Sequence, residues 1–212
     1  MKIYYCNINE FFDLAGIEFL SPKRRERVER YRTISSKAES LVAGLLLRKV
    51  LGSDYEERLF TNAHGKPQLK DCTNFFNLSH SGNYVLLAVT DCELGIDIEK
   101  ISSYNPKIIE KCCTADEKEW LKQQTNDDLF YHLWTGKEAV MKATGLGFSM
   151  KPESFSLLPI SDGPHEIHEQ TWYLQWFALD GHQVCTATAD AKKRQLIPVK
   201  KEELLHSLFA ET

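Results

Sequence analysis

The sequence predicts an α+β fold of two similar sheet-and-helix halves, residues 1-100 and 101-212. Three observations predict it. Strand-like runs with period-two alternation occur in both halves. Helical runs with their own start and stop signals also occur in both. Between them lies "SSYNPK", Ser102 to Lys107, a polar loop with a proline that suits a hinge. With 212 residues the chain can bury a real core, and 42% apolar with 26% charged residues is ordinary globular composition.

The elements follow in order. "KIYYCNI" opens as a strand. "SPKRRERVERYR" starts a helix with Ser21 as cap and Pro22 at its first position. "SSKAESLVAGLLLRKVLG" is a stronger helix. Ser36 and Glu39 form an expected capping box, Leu41, Leu45 and Leu46 give an apolar stripe, and Gly52 ends it. "RLFTN" is a short strand and "NAHGKPQ" a turn. "NFFNLSHSGNYVLLAVTDCELGIDIEK" reads as three strands in one compact sheet unit. After the hinge, "TADEKEWLKQQ" is a helix with Thr114 and Glu117 as a capping box. "NDDLFYHLWTGKEAVMKATGLG" is a long helix stopped near Gly145. "SFSLLPI", "TWYLQWFALDG" and "HQVCTATAD" read as strands, the last two joined by an Asp180-Gly181 hairpin turn. "KKEELLHSLF" closes as a helix after Pro198.

A net charge of -4 excludes a polyanion binder by bulk charge, so nucleic acid is not an expected partner. The N-terminus lacks the long apolar run of a signal peptide, and no stretch reaches membrane-span length. The expected location is the cytoplasm. The six cysteines, Cys6, Cys72, Cys92, Cys112, Cys113 and Cys185, include no CxxC pair and read as reduced buried thiols.

Chemistry enters at "GIDIEK". A strand there turns Ile96 and Ile98 to one face and Asp97 and Glu99 to the other. The long helix carries Trp134, Glu138 and Lys142 at four-residue steps, on one face. Glu138 and Lys142 taken alone form an ordinary surface pair. Gly136 argues otherwise, because glycine inside a helix costs about 1 kcal/mol relative to alanine. Close approach of another segment or a ligand would account for it. If Glu138 met Asp97 and Glu99, three carboxylates would require a cation between them, and their hardness suits Mg²⁺ with phosphate oxygens.

"KRRERVERYR" reads either as a solvated helix face or as an arginine clamp for phosphate. The basic face is not repeated elsewhere with aromatics, which favours a small phosphorylated ligand. "AHGKPQ" is a turn without the features of an NTP-binding loop. "FNLSHSG" crowds Asn77, Ser79, His80 and Ser81 at a strand end. Ser79 and His80 are adjacent in a strand and point apart, so they are no nucleophile-base pair.

Together "GKP", "FNLSHS", "GIDIE" and "WTGKEAVMK", in that order and spacing, resemble the 4'-phosphopantetheinyl transferases of the surfactin-synthetase-activating type. The likeness covers nearly the whole chain. It implies a pseudodimer of two α/β halves, monomeric, with coenzyme A and Mg²⁺ in the cleft between them. It implies transfer of phosphopantetheine from coenzyme A to a serine of an acyl or peptidyl carrier protein, leaving 3',5'-ADP. By the same resemblance, Asp97, Glu99 and Glu138 would hold the metal, and Lys142 would lie at the reacting phosphates. Arg24, Arg27, Ser40, Lys66, Ser79 and His80 would contact coenzyme A, with arginine at two places where a relative carries lysine. Glu117 matches a glutamate implicated in activating the serine, and here it also completes a capping box. Glu138, Glu117 or a metal-held water could act as base. An apolar edge at Phe130, Leu133 or Cys112–Cys113 is expected to dock the carrier. Two other readings share these residues: a Mg²⁺-dependent nucleotide or phosphodiester hydrolase, and a non-catalytic carrier-binding module.

Overall fold

The computed structural model describes residues 1–70, 74–126 and 128–210. Cys72 lies outside the described residues. The first half runs β1 (Lys2–Asn7), α1 (Pro22–Glu29), α2 (Ile34–Leu51), α3 (Tyr55–Arg58), β2 (Leu59–Thr61), β3 (Pro67–Leu69), β4 (Phe75–Ser81) and β5 (Tyr84–Thr90). There follow β6 (Leu94–Lys100), α4 (Lys107–Cys112), α5 (Ala115–Lys122), α6 (Asp128–Thr144), β7 (Gly163–Ile167), β8 (Gln170–Leu179) and β9 (His182–Thr188). The chain ends with β10 (Gln195–Pro198) and α7 (Lys201–Phe209).

Two four-stranded sheets carry the fold, in the orders β10-β1-β5-β4 and β6-β9-β8-β7, beside a small β2-β3 pair. Each large sheet packs with helices, so the expected mixed α+β architecture of two similar units is present. In the first unit α2 buries Leu41, Leu45 and Leu46 completely, in one core with Phe11, Val85, Leu87 and Leu204. In the second, α6 and the β8–β9 hairpin enclose Leu133, Val140, Trp172 and Cys185. A third cluster joins the units: Ile3, Leu86 and Ala88 meet Ile96, Ile98 and Val184.

Several local expectations needed correction. β6 does not extend the β4–β5 hairpin. It pairs antiparallel with β9, Asp97 opposite Cys185, because β9 completes a buried sheet edge that β4 reaches only through side chains. The chain then returns, and β10 pairs parallel with β1 (Lys2 opposite Gln195). α2 starts before the expected box. Thr33 caps it by accepting the Ser36 N–H at 3.1 Å, and Glu39 instead contacts His80. "SFSLLPI" is not a strand, since Pro159 has no N–H to give a ladder and Leu157 N–H goes to Glu117 Oε1 at 2.9 Å. The strand there is β7, further on. The Asp180-Gly181 turn stands as read, both residues at positive φ (43° and 72°).

The expected cap of α1 is present: Ser21 Oγ accepts the Arg24 N–H at 3.1 Å behind Pro22. The Thr114–Glu117 capping box is closed in both directions. The described cysteines are buried free thiols. Phe130, Leu133, Cys112 and Cys113 are all buried in the second core, so they offer no docking edge. Their apolar surface is consumed by packing within the unit. Among the described residues no helix is long and apolar enough to cross a membrane.

Candidate active site at the junction of the two sheets

Two glycines bring the helix and the acid strand together. Gly95 begins the "GIDIE" run on the same strand face as Asp97 and Glu99. A Cβ at Gly95 would stand 1.9 Å from Ala139 O and 2.5 Å from Ala143 N. Strand β6 therefore lies directly on the backbone of α6, an approach only glycine permits. Gly136, inside α6, meets the opposite side: a Cβ there would sit 2.6 Å from Leu157 and 2.7 Å from Trp176. Its helix cost is explained by close packing of another segment, one of the two causes the sequence allowed.

This contact turns Trp134, Glu138 and Lys142 toward Asp97 and Glu99. Lys142 Nζ donates to Asp97 Oδ1 at 2.6 Å and to Ser79 Oγ at 3.0 Å. Ser79 Oγ in turn donates to Asp97 Oδ1 at 2.9 Å. Glu99 is held at both oxygens: Trp134 Nε1 donates to Oε1 at 3.3 Å and Ser81 Oγ to Oε2 at 3.0 Å.

The electrostatics are those of an acid pocket short of positive charge. Asp97 is 3% exposed. Burial raises its pKa against the opposing pull of Lys142. Glu99 is raised first by burial and then by Asp97. Burial, with Asp97 and Glu99 as like charges, pushes Glu138 up to about 7 in spite of Lys142. Asp97 Oδ2 is buried with no hydrogen-bond partner. Among the described residues no three His, Cys, Asp or Glu side chains are gathered closely enough to constitute a metal site. The donor set nonetheless fits a hard divalent cation: all-oxygen ligands, mutual repulsion and one orphaned, buried carboxylate oxygen.

The remaining candidates fall in three places. Arg24 and Arg27, on α1, line a cleft of about 680 Å³ with Lys23, Arg30, Tyr55 and Pro67. Arg24 Nη2 donates to Ser40 O at 3.2 Å, while Arg24 Nε and Ser40 Oγ are buried without partners. Burial lowers the Arg24 pKa. His80 points away from Ser79 and pairs with Glu39 of α2 at 3.3 Å. Lys66 does not line the arginine cleft, but with Pro67 it borders a smaller one of about 180 Å³. Its ammonium donates to Leu94 O and Ala143 O at 3.0 Å each, bracketing the start of β6 to the end of α6. Burial lowers its pKa to about 8. Glu117 is fully buried. It accepts from Thr114 N and Leu157 N and pairs with Lys137 Nζ at 2.8 Å.

Two features escaped the sequence reading. Ser81 and Asn77 were seen only as polar residues crowding a strand end, and Lys137 was passed over. Lys137 is fully buried, donating to Pro152 O at 2.7 Å and Phe155 O at 2.5 Å besides its Glu117 pair. The signal for the first pair lay in the alternation of "NLSHS" against "GIDIE".

The comparisons bear on what this junction is. The description "4'-phosphopantetheinyl transferase superfamily" matches residues 93–192, which hold every acid of the junction. A second, "4'-phosphopantetheinyl transferase, N-terminal", matches residues 9–92. Phosphopantetheinyl transferase psf-1 of Bacillus pumilus is 35% identical over 80% of this chain and 79% of its own length. The chain belongs to the 4'-phosphopantetheinyl transferase superfamily. The transferase Sfp of Bacillus subtilis (strain 168) is similar at 32% identity, over 89% of this chain and 91% of that relative. So is the L-aminoadipate-semialdehyde dehydrogenase-phosphopantetheinyl transferase of Xenopus laevis, at 27% over 90% and 75%. This phosphopantetheinyl transferase thus aligns with its relatives through both sheet units.

Proposed function

We propose that the protein transfers the 4'-phosphopantetheine group of coenzyme A to a serine of an apo acyl or peptidyl carrier protein, giving holo carrier protein and 3',5'-ADP. We further assign it to the surfactin-synthetase-activating type, on its likeness to Sfp and psf-1. The observation that supports the reading is the electrostatic coupling of Asp97, Glu99, Glu138 and Lys142, with Asp97 Oδ2 left unpartnered.

In this reading Asp97, Glu99 and Glu138 hold Mg²⁺. When bound, the ion draws charge from the diphosphate of coenzyme A. Lys142 already lies at Asp97 and supports negative charge on the departing phosphate oxygens. Glu138, or a water held beside it at the cation, is placed to take a proton from the carrier serine. Glu117 is the other carboxylate candidate, but its oxygens already serve Thr114, Leu157 and Lys137. On that ground we assign the base to Glu138 or to a metal-held water rather than to Glu117. Arg24, Arg27 and Ser40 form the nucleotide side of the coenzyme A site, with Ser79, His80 and Lys66 at its border. The cytoplasm, where the buried thiols stay reduced, is the compartment this reading requires.

Intact mass spectrometry of an apo carrier with coenzyme A tests the proposal. A phosphopantetheine mass gain that needs Mg²⁺ is expected. Release of 3',5'-ADP without any carrier would make the protein a hydrolase instead. Carrier binding with no mass gain would make it a binding module.

A further inference from the structure

Strands β4 and β6 are the facing edges of the two sheets, and no backbone ladder joins them. Side chains take its place. Asn77 Oδ1 accepts from Ile96 N at 2.9 Å, Ser79 Oγ from Ile98 N at 3.3 Å, and Ser81 Oγ from Lys100 N at 3.0 Å. Alternate residues of β4 thus satisfy alternate N–H groups of β6, in step along both strands.

The residue types on β4 match what stands opposite. A serine hydroxyl has one proton and two lone pairs. Ser79 gives its proton to Asp97 and Ser81 gives its own to Glu99. Asn77 stands opposite Gly95, where there is no carboxylate to orient, and an amide oxygen suffices. With Trp134 on its other oxygen, Glu99 is fixed in rotation while each oxygen keeps a lone pair free.

We propose that Ser81 is a positioning residue, whose hydroxyl aims the Glu99 carboxylate at the divalent cation while stitching the acid strand to β4. The proposal rests on the metal reading above and goes beyond it by naming what orients one ligand. Partners that orient a metal ligand commonly carry a large share of the affinity.

The experiment uses the full chain with Mn²⁺ as probe, its binding followed by electron paramagnetic resonance without coenzyme A. Wild type is compared with Ser81→Ala, Ser81→Thr and Asp97→Ala, and amide exchange at Lys100 is recorded. In Ser81→Ala the Mn²⁺ affinity falls about tenfold, while the coenzyme A KM at saturating metal moves by less than about twofold. Exchange at Lys100 quickens. Ser81→Thr, which keeps the hydroxyl, restores both. If Ser81→Ala does not fold, Ser81→Cys takes its place with the same expectation, since a thiol is a weak donor and acceptor. If the Ser81 variants bind Mn²⁺ like wild type while Asp97→Ala does not, Ser81 is structural only and the positioning claim fails. If Asp97→Ala also binds like wild type, the metal reading itself fails.

Discussion

Replacing Glu138 by glutamine gives the sharpest energetic test of the acid pocket. The carboxyl rises from 4.5 to about 7 on folding, mainly by burial and then by Asp97 and Glu99. A group whose pKa is raised in the folded state supports folding below its unfolded pKa and loses that support as pH climbs through the folded one. Each unit is worth 1.36 kcal/mol, so ionising Glu138 costs the metal-free protein about 3 kcal/mol between pH 4 and pH 8. Glutamine keeps the shape and cannot ionise. In chelator-containing buffer the stability of Glu138→Gln relative to wild type therefore grows by about 3 kcal/mol across that range, or about 6 to 12 °C in Tm for a chain of this length. Urea unfolding at several pH values measures it. Added Mg²⁺ closes the gap from the wild-type side, because a cation offsets the repulsion. A stability difference that stays flat from pH 4 to pH 8 would refute the claim that Glu138 is buried among like charges. Transfer activity moves the other way and is lost in the variant.

Three further outcomes follow from the packing. Gly95→Ala forces a methyl group into the Ala139 carbonyl and destabilises by about 3 kcal/mol, measured by thermal melting, with transfer lost as α6 leaves β6. Lys137→Met strands Glu117 as a buried charge and costs about 3–5 kcal/mol in urea unfolding, part of which the double change with Glu117→Gln recovers, because the amide carries no charge and keeps an acceptor for the Leu157 N–H. Asp97→Ala lowers the transfer rate at least about a hundredfold in the carrier mass assay, by loss of electrostatic stabilisation. The same change leaves Tm within a few degrees of wild type, because it also removes a desolvated carboxylate.

How much was legible in the sequence depends on the range of the interaction. Caps and turns are local, so Ser21-Pro22, the Thr114–Glu117 box and Asp180-Gly181 could be read directly. The face of α6 bearing Trp134, Glu138 and Lys142 follows from helical periodicity alone. Partner strands are not local. β6 is close to β5 in sequence yet pairs with β9, eighty-odd residues on, and β10 closes the first sheet from the far end of the chain. Nothing in "GIDIEK" specifies β9, because a buried edge of isoleucines suits either sheet. The capping box expected at Ser36 was displaced because Thr33, three residues upstream, can cap the same helix. Lys66 and Glu117 show a different limit. Each sits in a motif suggestive of ligand contact, yet each reaches its hydrogen-bond partners through tertiary packing that no spacing reveals.

The proposed mechanism requires Asp97, Glu99 and Glu138 to share one divalent cation with the diphosphate of coenzyme A. A crystal grown with Mn²⁺ and coenzyme A, with anomalous diffraction recorded at the manganese edge, tests it most directly. One peak among the three carboxylates and the diphosphate is expected, with Lys142 drawn from Asp97 toward a phosphate oxygen. A map with no ion there, Glu138 facing solvent and Lys142 still bound to Asp97 would contradict it.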